Sequence, residues 1–271
     1  MAWTSSQRNA VVAAYLGWTL DAFDFFLMVF VFTDVQKAFG VGDVAVTFPV
    51  TLTLAARPVG AYLFGRLGDR YGRKHILMFN ILCFSVLEAA SGIAPSMMLF
   101  LIVRALFGIA MGGEWGLGSA LVFETIPANG RGVVSGLLQA GYPSGYLLAS
   151  LVFGFFHDDL GWRMLFIIGA VPSLLVIVFM WRGVQESPAW VAQRTHKATT
   201  ALWPVLARNW RLAVYAMLLM ACFNFFSHGS QDGYPDRFLR QQHGFDSKTV
   251  SAIVITLNVG AILGGILFGY V

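Results

Sequence analysis

The feature that most constrains this chain is its series of long apolar stretches. Eight of them lie at about 11–33, 44–64, 75–94, 97–123, 132–156, 163–182, 211–233 and 249–271. Each approaches or exceeds the roughly 20 residues that a helix needs to cross a bilayer. In lipid a backbone must satisfy its own polar groups, so each stretch is predicted to be helical. Charged residues make up 12% of the chain and hydrophobic ones 57%, whereas a soluble domain carries about 25% charged residues. That is too few to cover a water-facing surface. The predicted class is therefore an all-α membrane bundle. The first stretch is too long for the apolar core of a signal peptide and contains acids, so it reads as a retained span. Cys83 and Cys222 both fall in apolar runs, which predicts no disulfide framework and no metal site.

Charge placement orients the spans. With the N-terminus inside, Arg8, Arg66, Arg70, Arg73, Lys74, Arg131, Arg182, Arg194, Lys197, Arg208 and Arg211 are cytoplasmic. Lys37, Arg163, Arg237, Arg240 and Lys248 are then outside, and the excess inside supports this orientation. The net charge of +4 has this origin and does not call for nucleic acid as a partner. Residues 185–210 form the longest polar link. They divide an N-terminal bundle of six spans, 1–184, from the start of a second bundle, 211–271. The run Val59-Gly60-Ala61-Tyr62-Leu63-Phe64-Gly65 recurs loosely as Leu263-Gly264-Gly265-Ile266-Leu267-Phe268-Gly269. Only the first copy continues into a charged turn, so the chain reads as a full first half plus about two helices of a second. Repeated bundles of this kind are typical of transporters.

Four segments carry the polar chemistry, three of them within spans where lipid would exclude it. The turn from Gly65 to Lys74 contains Asp69, Arg70, Gly72 and Arg73, with Glu124 and Arg131 on the same side as candidate partners. Gly65 is expected to allow close helix approach, and Gly72 a tight turn. In the fourth span Gly108, Gly112 and Gly116 recur every four residues, a predicted seam for a neighbouring helix. Arg104 precedes the seam and Glu114 lies within it; charges in a span usually face a partner or a cavity. Asp21 and Asp24 lie one turn apart in the first span, with Arg57 of the second span as a possible counter-charge. An acid that moves between apolar surroundings and a nearby cation can take up and release a proton. In the seventh span Asn224, His228 and Gln231 share a face, with Asp232 adjacent. So dense a polar stripe is expected to line a water-filled path. Gln139, beside a Gly-Tyr-Pro-Ser-Gly interruption of the fifth span, is a further candidate on that path. Glu88 in the third span receives no assigned role.

The turn Gly65-Arg66-Leu67-Gly68-Asp69-Arg70-Tyr71-Gly72-Arg73-Lys74 resembles the loop signature G-x-x-x-D-R-x-G-R-[KR] of the major facilitator superfamily. In that family the loop is a conformational latch rather than a substrate site. Arg104, Gly108 and Gly112 fit the family's fourth-helix pattern R-x-x-x-G-x-x-x-G, which is linked to proton coupling. The stripe from Asn224 to Asp232 resembles the N-x-x-[ST]-H-x-[ST]-Q-D-x-x-x-T signature of lactate and pyruvate permeases in the sialate:proton symporter branch. Asp236 stands where that signature has its final Thr. The resemblance implies a proton-coupled transporter of a small organic anion in the cytoplasmic membrane, rocking two bundles around a central site. It needs no cofactor, since the proton gradient supplies the drive. By this resemblance Asp21, Asp24, Arg104 and Glu114 serve proton coupling, and Arg57, Gln139, Asn224, His228, Gln231 and Asp232 serve the substrate. Two other readings stand beside it: a receptor built on a transporter scaffold, and an inactive remnant. No nucleophile elbow, phosphate loop or metal-ligand spacing is present, so an enzyme is not expected.

Overall fold

The structure is a computed structural model that describes residues 3–193 and 202–269. The linker positions Arg194, His196 and Lys197, and the chain end at Tyr270 and Val271, lie outside them. Every regular element among the described residues is helical. The long helices are α1 (Ser5–Phe30), α3 (Phe48–Tyr71), α4 (Arg73–Ile93), α5 (Met97–Thr125), α7 (Gly141–Gly183), α10 (Trp210–Gln231) and α11 (Ser247–Gly269). Shorter helices are α2 (Phe32–Phe39), α6 (Arg131–Gln139), α8 (Pro188–Gln193) and α9 (Leu202–Arg208). Six helical stretches among the described residues are long and apolar enough to cross a membrane. One of them, Ala128–Gly183, is broken into two helical parts at Gly161, whose φ of 73° favours glycine. α3 is also long enough to span, but Arg57 and Pro58 interrupt its apolar run. The chain is a multi-pass membrane protein.

α1 is the axis of the bundle. It is apolar on every side and buried continuously from Gly17 to Phe30, the pattern of a helix enclosed by others. A capping box starts it, with Thr4 and Gln7 exchanging side-chain and backbone hydrogen bonds. Gln7 also donates to the Thr125 carbonyl at 3.1 Å, and Asn9 to the Gly183 carbonyl at 2.6 Å. These bonds tie one end of α1 to the ends of α5 and α7. α4 is wedged between α5 and α7; Asn80 donates to the Ala110 carbonyl and Ser85 to the Ala170 carbonyl. Apolar side chains such as Phe79, Val86, Met98, Leu175 and Trp181 cover the outside, as a lipid-facing surface requires.

α3 and α5 approach closely enough that a Cβ on Gly60, Gly108 or Gly112 would strike backbone of the other helix. Gly116, expected on the same seam, faces open space, and so does Gly65. The connection after α10 also differs from a plain outer loop. It forms a π-helical turn, Tyr234–Gln242, whose polar side chains bond to the α1–α2 corner. α11 returns to pack along α7, where Ser251 donates to the Ser150 carbonyl at 2.7 Å. The side chains of α10 are mostly exposed, except near His228.

Candidate functional site

A cavity of about 350 Å³ opens between α3, α5, the α6–α7 junction and α10. Arg57, Gln139, Asn224, His228 and Gln231 all line it. Five side chains from three distant parts of the sequence thus meet at one space. Asp232 stands behind them, accepting from His228 Nδ1 at 3.1 Å if that nitrogen carries the proton. Helix periodicity explains the α10 contribution, because positions 224, 228 and 231 recur on one face. Gln139 at the end of α6 and Tyr142 at the start of α7 both line the cavity at the junction of these helices. A second cavity of about 320 Å³ adjoins Gln231 and is walled by Tyr146, Tyr234, Val254 and Leu257.

Arg57 is half-buried, and its guanidinium has no carboxylate partner among the described residues. Nη2 and Nε point at the thioether of Met111, 2.8 and 3.2 Å away. Its cationic carbon lies 5.3 Å from the Phe25 ring centroid and 5.9 Å from that of Trp115, within cation–π range. A thioether is a weak acceptor, so most of this cation's hydrogen-bonding capacity faces the cavity. Trp115, Tyr142 and Met111 were not legible as site residues in the sequence. Each is an apolar or amphipathic side chain in a helix, indistinguishable there from packing.

Behind the cavity lies a buried charge cluster. Asp21, Asp24, Glu88 and Glu114 are fully enclosed, and Arg104 is 1% exposed. Arg104 forms an ion pair with Glu88, and its Nε donates to Ser91 at 2.9 Å. Its guanidinium also sits 4.3 Å from the Phe107 ring centroid. Arg104 therefore neither snorkels nor reaches the cavity. Asp21 accepts from Trp115 Nε1 at 2.8 Å. Neither oxygen of Asp24 nor of Glu114 has a hydrogen-bond partner, and neither does one oxygen of Asp21. Asp24 lies within electrostatic reach of Glu88 and Arg104, and Asp21 within reach of Arg57. Four carboxyl groups thus share two guanidinium groups, one of them at the cavity. Glu88, unassigned from the sequence, is the one partner that matters most to Arg104.

The turn between α3 and α4 forms a separate constellation at the end where α1 begins. Arg73 pairs with Asp69 and, at 3.3 Å, with Glu124. Arg131 instead donates to the Phe123 carbonyl at 3.0 Å, so it is not the partner of Asp69. Arg70 is exposed and lies over Tyr71. Gly72 has a φ of 109°, and a Cβ there would strike Glu186. Glu186 caps α4 by accepting from Lys74 N at 3.0 Å. Ser187 bonds to Glu124, and Trp190 Nε1 donates to the Asp69 carbonyl at 2.9 Å. The segment 186–190 is more than a hundred residues from the turn in sequence, and no local pattern announces that it docks there.

The chain resembles known proteins along nearly all of its length. The sialic acid transporter NanX of Escherichia coli K12 is 29% identical over 266 residues, covering 98% of this chain and 65% of NanX. The cis,cis-muconate transport protein of Acinetobacter baylyi is 28% identical over 272 residues, covering 97% of this chain and 65% of its own length. The chain thus spans just under two thirds of each of these relatives. A partially occluded, inward-open structure of the xylose transporter XylE from E. coli superposes with a TM-score of 0.75 at 18% identity. It covers 96% of this chain and 69% of XylE, and shows the shared fold. These relatives are transport proteins rather than enzymes. The profile of the Major Facilitator Superfamily matches residues 13–271, and the chain belongs to that family.

Proposed function

We propose that this chain is part of a proton-coupled secondary transporter for a small organic anion, in the sialate:proton symporter branch. The observation that carries this reading is Arg57. A cation in a membrane span is costly without a partner, and this one faces a cavity with only a thioether at its N–H groups. An anion entering from water supplies the strong acceptor that this guanidinium lacks. Asn224, His228, Gln231 and Gln139 offer hydrogen bonds to the rest of the molecule. The names of the relatives, sialic acid and muconate transporters, agree with an acidic cargo. A monocarboxylate such as lactate or pyruvate fits the α10 stripe, and sialate fits the relatives.

The excess of carboxyl groups over guanidinium groups supports proton coupling. Uncompensated charge in a bilayer core must be neutralised, and a proton is the counter-charge that can arrive and leave with each cycle. Asp24 and Glu114, both without hydrogen-bond partners, are the proposed carriers, and Asp21 joins them through its bond to Trp115 of the cavity wall. Arg104, held by Glu88, sets the field around Asp24. The turn from Gly65 to Lys74 acts as the latch on the cytoplasmic side, with the N-terminus inside. The test is uptake of labelled lactate and labelled sialate by proteoliposomes containing the protein. An inward proton gradient is expected to drive uptake of at least one. Arg57→Gln is expected to lower it by about tenfold or more, the scale of a lost charge-assisted contact. Uptake unaffected by an uncoupler would overturn the coupling. Asp24→Asn is expected to abolish the gradient dependence, and full gradient-driven uptake would remove Asp24 from the mechanism.

A further inference from the structure

We propose that Trp115 is the positioning residue that links the proton on Asp21 to the anion at Arg57. This inference rests on the proton-coupled reading above. The indole of Trp115 has one polar atom, a donor, and that donor is committed to Asp21 Oδ2 at 2.8 Å. The other oxygen of Asp21 is buried and unpartnered, so it is where a proton on this carboxyl would sit. The ring itself is a wall of the cavity. It stacks on Trp18 at 4.8 Å, meets Tyr142 edge-on at 5.8 Å, and lies 5.9 Å from the Arg57 guanidinium. One side chain therefore touches the carboxyl through its nitrogen and the anion site through its ring.

A hydrogen bond to a carboxylate is about twice as strong as one to a neutral acceptor. Adding a proton to Asp21 loosens its hold on Trp115, and the wall that faces Arg57 and Tyr142 gains freedom. By linkage, an anion that binds better against the loosened wall than against the fixed one raises the proton affinity of Asp21 by the same factor. The charged and titratable groups around Asp21 are Arg57 of α3, Glu88 of α4, Glu114 of α5, Asp24 of α1 and Tyr142 of α7. A direct field from these groups would couple proton and anion without any help from the indole N–H, so the indole must be tested with all of them in place.

Trp115→Phe and Trp115→Tyr keep every one of those charges and remove the indole N–H, the first leaving a smaller ring with no donor and the second a hydroxyl that sits elsewhere on the ring. In proteoliposomes, gradient-driven uptake of labelled lactate or sialate is divided by counterflow of the same probe at equal pH. A change in binding common to both processes then cancels. We expect this ratio to fall by about fivefold or more, the lower end of ordinary coupling energies. The affinity for the same probe, measured between pH 5 and 8, is expected to vary with pH in the wild type and less steeply in both variants, the remaining slope coming from the charges around Asp21 and from His228 in the cavity. If the wild type itself ignores the gradient, the functional reading fails. If the wild type is coupled and either folded variant keeps its ratio and its pH slope, only the role of Trp115 is overturned.

Discussion

Arg104 and Glu88 place opposite charges where no water reaches them. Each is tolerable only because of the other, since an unpaired buried ion costs several kcal/mol. Glu88→Ala leaves Arg104 with Ser91 and aromatic rings, and is expected to destabilise the protein by about 3–5 kcal/mol. The double variant Glu88→Leu/Arg104→Met removes both charges and is expected to recover most of that loss. Thermal unfolding in detergent measures both; a double variant as unstable as Glu88→Ala would refute the pairing as the cause. The sequence marks Arg104 as an intramembrane cation in need of a partner. It does not identify the partner, because the rotation of α4 about its axis is set by packing against α5 and α7. The same limit hides the contact between Trp115 and Asp21, 94 positions apart. The polar stripe of α10 was legible because a single helix face needs no tertiary knowledge.

At the scale of elements, the seam between α3 and α5 shows how far a spacing rule carries. Glycines at 108, 112 and 116 are four residues apart, whereas a helix turns once every 3.6. Each step therefore rotates by about 40°, and the third glycine leaves the contact face. The structure places Gly108 and Gly112 against the backbone of Thr53 and Arg57, and Gly113 rather than Gly116 against Phe64. Gly112→Ala is expected to push the helices apart and cost about 1–3 kcal/mol, the usual range for overpacking. Because Arg57 sits at this contact, anion affinity should fall with it. Gly116→Ala meets nothing within 4 Å and gains up to ~1 kcal/mol of helix propensity, so it should be neutral or stabilising. Equal losses of stability in the two variants would contradict this register. The long helices and the gap between 156 and 163 were legible because length and apolarity report them directly. The π-helical turn was not, because its form depends on bonds to the distant α1–α2 corner.

On the scale of the whole molecule, that turn joins the end of α10 to the six-helix part. Arg240 bridges Asp236, at 3.0 Å, and Asp34, at 3.4 Å, and also donates to the Phe30 carbonyl. Thr33 donates to Asp236 at 2.7 Å, Gln241 donates to Thr33 at 2.9 Å, and His157 contacts Asp34 at 3.0 Å. This polar clamp lies at the opposite end from the Asp69–Arg73–Glu124 latch. Burial alone would raise the Asp34 pKa, but the hydrogen bond and charge of His157, then those of Arg240, outweigh it and hold this carboxyl below its ordinary value. A group lowered in this way contributes stability above its unfolded value, about 3.9. The contribution is lost as pH falls through the lower folded value. Asp34 should therefore hold its part of the clamp above about pH 4 and release it below. Burial would lower the His157 pKa, but its bonds to Asp34 and Asp158 raise it, so it loosens its hold on Asp34 as pH rises through its folded value. Asp236, raised by burial, gives way at a higher pH than Asp34. Hydrogen exchange of peptides covering 32–39 and 234–242 measures this. At neutral pH, Arg240→Ala is expected to speed exchange in both segments by about tenfold, the effect of losing ~1.4 kcal/mol of charge-assisted bonding. Exchange confined to 234–242 would mean that the turn is held by its own bonds alone and that the two parts of the chain are not clamped to each other at this end.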